Sequence, residues 1–385
     1  MDAPAVKSKV ALVPCDTYDD IKVYDAVKQG IDLIGGLSQF VKAGEKIILK
    51  PNLLIGSAPE KCVCTHPAVF KAVGKILLEA GAQVSAGDSP GFGSTVLNMR
   101  LAGLKQAADE LGIPVADFSK GTAVSHKEGL LVKRFVIADC VLAADGLVSL
   151  PKLKTHGLTR MTGAVKNQFG CVPGFLKGQQ HARMPDPFAF ATMLVDLNMV
   201  IKPRIYIMDA VMAMEGNGPR SGRPRKMGAL LISSDPIALD AVACRIIDLN
   251  PSLVPTAEPG EKAGLGTYHE ENIEVVGANV DDFICKDFDV IRKPVEHVSS
   301  GMIRNYFKNR INPRPVIDKA LCTKCGTCVI HCPVDPKAVD WVNGDETRPP
   351  EHNYNRCIRC FCCQELCPEG AIFIKETLLG RLFFR

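Results

Sequence analysis

The sequence predicts an α/β protein: a mostly parallel sheet with helices on both faces, joined to a small α+β unit near its C-terminal end. Three observations carry this. Strand-like and helix-like segments alternate from residue 8 to about residue 280. Several helix starts are written as His-Pro or Asp-Pro. Beyond residue 315 the alternation gives way to a cysteine run that occurs twice.

Val10 to Pro14 and Lys46 to Leu54 read as buried strands. Thr65-His66-Pro67 then caps a helix with Pro in its first turn, carrying Val69, Val73, Ile76 and Ala80 before Gly81. Gln83 to Gly87 is the next strand. Leu97, Leu101, Leu104, Ala108 and Leu111 recur at helical spacing after it, up to Gly112 and Pro114. Val136 to Leu150 supplies one or two strands. Asp186-Pro187 opens a helix to about Ile201, and Arg204 to Asp209 and Ala229 to Ser233 are strands. Asp235 reads as the N-cap of a helix through Ile247, and Asn272 to Val276 is a late strand. The predicted division is an α/β domain over 1–300, a linker over 301–315, a cysteine-rich unit over 316–376 and a hydrophobic tail over 377–385. The linker is basic and Pro-bearing (Arg304, Lys308, Arg310, Arg314, Pro313, Pro315), and the tail holds Leu378, Leu379, Leu382, Phe383 and Phe384.

Composition excludes several classes. With 385 residues, 46% of them hydrophobic, the chain can bury a full core and exceeds one small domain. A net charge of +4, from 46 basic and 42 acidic residues largely interspersed, argues against a nucleic-acid partner. The most apolar stretch, Leu130 to Leu150, is broken by Lys133, Arg134, Asp139 and Asp145, so no transmembrane segment is expected. Sixteen Cys and an N-terminus without an apolar signal core point to a reducing, cytoplasmic and oxygen-sensitive setting.

The doubled run carries the firmest chemistry. CTKCGTCVIHCP at 322–333 and CIRCFCCQELCP at 357–368 each fit C-x2-C-x2-C-x3-C-P. This is the ligand run of a two-cluster bacterial ferredoxin, in which the fourth Cys of each run crosses to the other [4Fe–4S] cluster. Cys322, Cys325, Cys328 and Cys367 are therefore expected to hold one cluster, and Cys357, Cys360, Cys363 and Cys332 the other. The Pro after each fourth Cys stops the helix there. Zinc needs only paired hooks, and a disulfide framework belongs to small secreted chains. Cys362 is surplus: either a packed thiol or a redox-active one. Cys62, Cys64 and His66 have ligand-like spacing without a fourth member, and buried thiols are the plainer reading.

Polar residues of the larger domain concentrate after its strands, where open α/β sheets place ligand sites. Lys50 ends the second strand. Asp88, Ser89 and Gly91 lie in a glycine-bearing strand-to-helix loop, either an ordinary turn or an anion loop. The densest group is Lys152, Lys154 and His156, followed by Lys166 and Asn167. Lys152 and Lys154 alternate along a strand and share a face, an electropositive arrangement suited to carboxylate or phosphate or to acid–base work by a lysine. Asp209, Glu215 and Asn217 precede a glycine loop and either complement the lysines or bind a hard cation.

Taken together, ILKPNLL with THP, GDSPGFGST, SLPKLKTH, TGAVKNQFG, DAVMAMEGNGP and SSDPIALDAVA resemble the domain of unknown function 362 family, iron–sulfur members of which carry an appended ferredoxin module. The resemblance spans about residues 46 to 245 and implies an architecture and a site rather than a substrate. It places Lys50, Asp88, Lys152, Lys154, His156, Lys166, Asn167, Glu215 and Asn217 at that site.

The leading expectation is an anaerobic iron–sulfur oxidoreductase. Electrons would pass from two [4Fe–4S] clusters to a small anionic substrate or a cofactor held by the lysines, with an electron donor or acceptor protein as partner. Lys152, Lys154, His156 and Lys166 are the catalytic candidates, and Lys50, Asp88, Ser89, Gly91, Asn167, Glu215 and Asn217 the binding ones. The alternative is a non-catalytic electron-transfer or metallocofactor-maturation partner of another enzyme, whose lysines would lie scattered and solvated. A third reading makes the clusters structural or redox-sensing. No flavin or nicotinamide fingerprint is present.

Overall fold

The computed structural model describes residues 7–174, 176–295 and 312–375. The predicted tail over 377–385 and residues 301–311 of the predicted linker lie outside them.

The larger domain runs β1 (Ser8–Pro14), α1 (Asp20–Leu33), β2 (Lys46–Pro51), α2 (Pro67–Glu79), β3 (Gln83–Ala86), α3 (Thr95–Leu101), α4 (Leu104–Glu110), β4 (Gly121–Ser125), β5 (Arg134–Ala138) and α5 (Asp139–Leu142). It continues through β6 (Gly146–Leu150), β7 (Lys152–His156), β8 (Arg160–Thr162), α6 (Ala164–Asn167), α7 (Leu176–Arg183), α8 (Pro187–Ile201), β9 (Ile205–Glu215), β10 (Arg223–Ser233), α9 (Pro236–Ile246), α10 (Ala257–Lys262) and β11 (Ile273–Gly277). One nine-stranded sheet has the order β11-β1-β10-β9-β6-β2-β3, with β7 beside β9 and β8 beside β7. The β1–β11, β2–β3, β2–β6, β6–β9 and β7–β9 pairings are parallel. The β1–β10, β9–β10 and β7–β8 pairings are antiparallel.

Strand alternation builds a core on each face. Ala11 and Val13 of β1 pack with α1, α2 and α4, whereas Val10 and Leu12 join the cluster under α9. Helix starts follow the sequence signals. His66 Nδ1 accepts from Ala68 N, and the Asp186 and Asp235 carboxylates accept from the first free amides of α8 and α9.

Two elements depart from expectation. The helix expected over Leu97–Leu111 is broken into α3 and α4 by Gly103 at φ 72°, where a Cβ would press on Pro67 Cγ at 3.0 Å. The strand expected to end at Asp209 continues to Glu215 and forms a long hairpin with β10, from Ser233↔Tyr206 to Arg223↔Glu215. A bulge between Lys226 and Ala229, eased by Gly228 at φ 67°, lets this ribbon bend.

The cysteine-rich unit holds β12 (Arg314–Ile317), α11 (Thr327–Ile330), β13 (Val339–Asp340), β14 (Glu351–His352), α12 (Cys362–Leu366) and β15 (Ile372–Lys375). β12 pairs with β15, so Arg314 and Pro315, expected in the linker, are strand residues of this unit. The unit packs tightly on the larger domain. Phe361 is buried among Leu158, Val165, Phe169 and Phe190, and Ile374 covers Gly157. Gln364 Nε2 donates to Asn217 Oδ1 at 2.8 Å and Gly218 O at 3.0 Å, Arg220 donates to Leu366 O, and Asn217 Nδ2 donates to Ile372 O at 3.1 Å.

Candidate active site

The site grows from the carboxyl ends of the parallel strands. Pro151 interrupts the β6–β7 line, and β9 pairs with β6 at its start and with β7 further on. This carries Lys154, on β7 beside β9, to the carboxyl end of the sheet. There a cavity of about 510 Å³ separates the larger domain from the cysteine-rich unit. One wall includes Asp88, Ser89, Lys154, Lys166 and Asn167; the opposite wall includes His331, Cys332, Cys362 and Glu365.

A fixed polar floor underlies this cavity. Lys50, fully buried, pairs with Asp88 at 2.9 Å and donates to Asn167 O at 2.6 Å. Asp88 Oδ2 also accepts from Leu53 N at 2.9 Å. Asn52 Nδ2 donates to Asn167 Oδ1 at 3.1 Å, and Lys154 Nζ donates to Asn52 Oδ1 at 2.8 Å and Val63 O at 2.6 Å. Burial, aided by Lys166 and Lys152 and opposed by Cys64, pushes the Lys154 ammonium down to about 7. Lys177 bonds to Ser89 Oγ at 2.6 Å and Ser89 O at 2.8 Å, and burial brings it down to about 8. Lys166 Nζ has no hydrogen bond among the described residues, and burial lowers it as well.

His156 Nδ1 accepts from the Leu158 and Thr159 amides at 3.0 and 3.3 Å, which places its proton on Nε2. Nε2 lies 2.8 Å from Glu365 Oε1, a close polar approach that lacks hydrogen-bond alignment. Burial, with Lys166 nearby, takes His156 down to about 4, so the ring is neutral. Burial opposes ionisation of Glu365, but the facing His156 and Lys166 outweigh it and hold the carboxyl below its usual range.

The cavity thus gathers Asp88, Ser89, Gly91, Lys154, Lys166 and Asn167. Other candidates stand elsewhere. Lys152 is buried in an ion pair with Asp209 at 2.7 Å and bonds to Tyr18 at 3.0 Å. Glu215 accepts from Asp289 N at 3.0 Å, and Asn217 fastens the cysteine-rich unit. Lys50 and His156 support the cavity from behind its walls. Lining residues not singled out from sequence include Lys177, His181, Arg183 and Glu365. Lys177 and His181 lie four apart on α7, so helical spacing was the available signal.

The cysteines of the two runs lie close together. Cys322, Cys325 and Cys328 share a recess with Cys367 from the second run. Burial and then the charges of Cys360, Cys357, Cys328 and Cys332 raise the Cys363 thiol, so cysteines of both runs surround it. No group of three or more His, Cys, Asp or Glu among the described residues is arranged for a single metal ion. Thiols spread around a recess suit a cubane, whose iron and sulfide fill the space between its ligands.

Residues 47–245 match the domain of unknown function 362, and residues 314–368 match a 4Fe-4S dicluster domain. A thylakoid-associated protein of Synechocystis sp. is 38% identical over 261 residues, covering 68% of this chain and 80% of its own length. The chain belongs to the domain of unknown function 362 family. Every site candidate of the larger domain falls inside the segment matched to this family. The C-terminal unit makes this family member an iron–sulfur, ferredoxin-type electron-transfer protein. Pyruvate synthase subunit PorD of Methanocaldococcus jannaschii is 34% identical over 59 residues, which cover 15% of this chain and 63% of that one. The lactate racemase apoprotein of Thermoanaerobacterium thermosaccharolyticum superposes with a TM-score of 0.41 at 12% identity, covering 63% of this chain and 59% of that one. No helix among the described residues is long and apolar enough to cross a membrane.

Proposed function

We propose that the protein is an iron–sulfur oxidoreductase of the cytoplasm, with its reacting site in the cavity between the two units. One observation carries this reading: Cys332, a cluster ligand by its spacing, lines the same cavity as Lys154 and Lys166. Two [4Fe–4S] clusters, held by Cys322, Cys325, Cys328 and Cys367 and by Cys357, Cys360, Cys363 and Cys332, would supply one-electron chemistry there. The chain's own residues supply the rest. Lys154 and Lys177, each fixed by hydrogen bonds to protein oxygens, present positive charge to an anionic substrate. The buried walls exclude water and strengthen that attraction. The neutral His156 holds a proton on Nε2 that faces Glu365 at 2.8 Å. A carrier that merely docks on another enzyme has no use for buried lysines converging on a cluster ligand.

The test is anaerobic purification with iron and sulfide quantification, followed by electron paramagnetic resonance of the reduced protein. Iron and sulfide matching two cubanes, with a signal that shifts when small carboxylates are added and ceases to shift in Lys154→Met, is the expected result. A signal indifferent to every anion offered, in protein carrying full iron, would overturn the reading.

A further inference from the structure

Resting on the reading that this cavity is the reacting site, we infer that it takes a 2-oxo acid and that Lys166 binds the carbonyl carbon as an imine. The cavity's lysines are not equivalent. Lys154 and Lys177 are engaged by fixed oxygens of Asn52, Val63 and Ser89, and these bonds hold them as oriented cations. Lys166 is 8% exposed, lines the same space, and has no acceptor among the described residues to hold its protons. Burial lowers the Lys166 ammonium against the opposing charge of Glu365, so its amine is more readily freed than that of an exposed lysine. A desolvated lysine amine in a cavity is a nucleophile toward aldehydes and ketones. The neighbouring cations add the second requirement, a carboxylate on the same small molecule.

The polar surroundings fit such a ligand. Thr162 Oγ1 and His181 Nδ1, both buried and both on cavity-lining residues, have no partner among the described residues. They offer hydrogen bonds to the ligand oxygens. The covalent step needs no oxidant. The Lys166 nitrogen adds to the carbonyl carbon, the C–N bond forms, and the carbonyl oxygen becomes the hydroxyl of a carbinolamine. That oxygen then leaves with both amine protons as water, and the C=N bond remains.

Anaerobically purified full-length protein is incubated with pyruvate or glyoxylate and sodium cyanoborohydride, then mapped by peptide mass spectrometry. The expected result is a saturable adduct on Lys166, slowed by propionate, which has the carboxylate but no carbonyl. Lys166→Arg, which keeps a long side chain but offers no nucleophilic amine and is checked for unchanged iron content, is expected to lose it. An adduct spread over exposed lysines equally in wild type and Lys166→Arg overturns the inference. So does the absence of any adduct. If propionate still shifts the resonance signal of the reduced protein while no adduct forms, only the imine falls. If propionate has no effect either, the cavity reading falls with it.

Discussion

His156 Nε2 lies 2.8 Å from Glu365 Oε1, and this contact joins the signature strand of the larger domain to the helix of the second cysteine run. Both side chains are buried, and the His156 tautomer is fixed by the amides of Leu158 and Thr159. The two units are thus registered by a close polar approach as well as by apolar contact. Glu365→Ala removes the carboxylate that faces the buried His156 N–H and is expected to cost about 2 kcal/mol. Anaerobic urea denaturation measures it. A wild-type midpoint would show that the contact contributes nothing to docking.

Lys152 and Asp209 form a buried pair with Tyr18 at its edge, away from the cavity. Removing one partner strands a buried charge. Lys152→Ala is expected to destabilise the fold by about 3–5 kcal/mol. Its iron content should stay unchanged, because Lys152 does not touch the cysteine-rich unit. A stable variant with altered cluster spectra would move Lys152 into the site.

Lys154 gives the protein a pH signature. Its folded value lies near 7, below the ordinary lysine value that the unfolded chain restores. Between these two values the unfolded state binds more protons, so this group makes stability rise with pH from about 7 upwards. Anion binding runs the other way and weakens as Lys154 loses its charge. Carboxylate affinity, read from the resonance signal between pH 6 and pH 9, should therefore fall as urea resistance climbs, and Lys154→Met should flatten both. Two pH-independent curves in the wild type would refute this.

Phe361 sits immediately after Cys360, a proposed cluster ligand, at φ 58°, with its ring buried in the larger domain's core. Phe361→Ala removes that anchor at a cost of about 3 kcal/mol. The cysteine-rich unit should then be released faster in limited proteolysis. Unchanged cleavage would assign the docking to the polar contacts of Gln364 and Asn217.

The crossed ligand sets predict which substitutions act together. Cys322→Ser and Cys367→Ser should deplete the same cluster, and Cys357→Ser and Cys332→Ser the other. Each should lower the iron content to about half of a two-cubane protein. Cys362→Ser should keep full iron. Resonance spectra that pair Cys367 with Cys357 would break the assignment.

The alternation of apolar runs with Pro-marked helix starts determined the α/β class, because strands and helix caps are local events. Asp186, Asp235 and His66 cap their helices where their flanking prolines indicate. The cysteine spacing likewise determined an iron–sulfur unit, since three thiols within one turn-rich loop need no distant partner. Tertiary structure decided the rest. Lys152 and Lys154 are equivalent in sequence, alternate residues of one strand. Only the fold gives Lys152 an Asp209 at 2.7 Å and turns Lys154 to the cavity. Glu365 and Lys177 join that cavity across long sequence separations, through docking and helix packing that no local pattern encodes. The difference is physical: propensity, capping and ligand spacing act within a few residues. The cavity is made by surfaces that meet only after both units have folded.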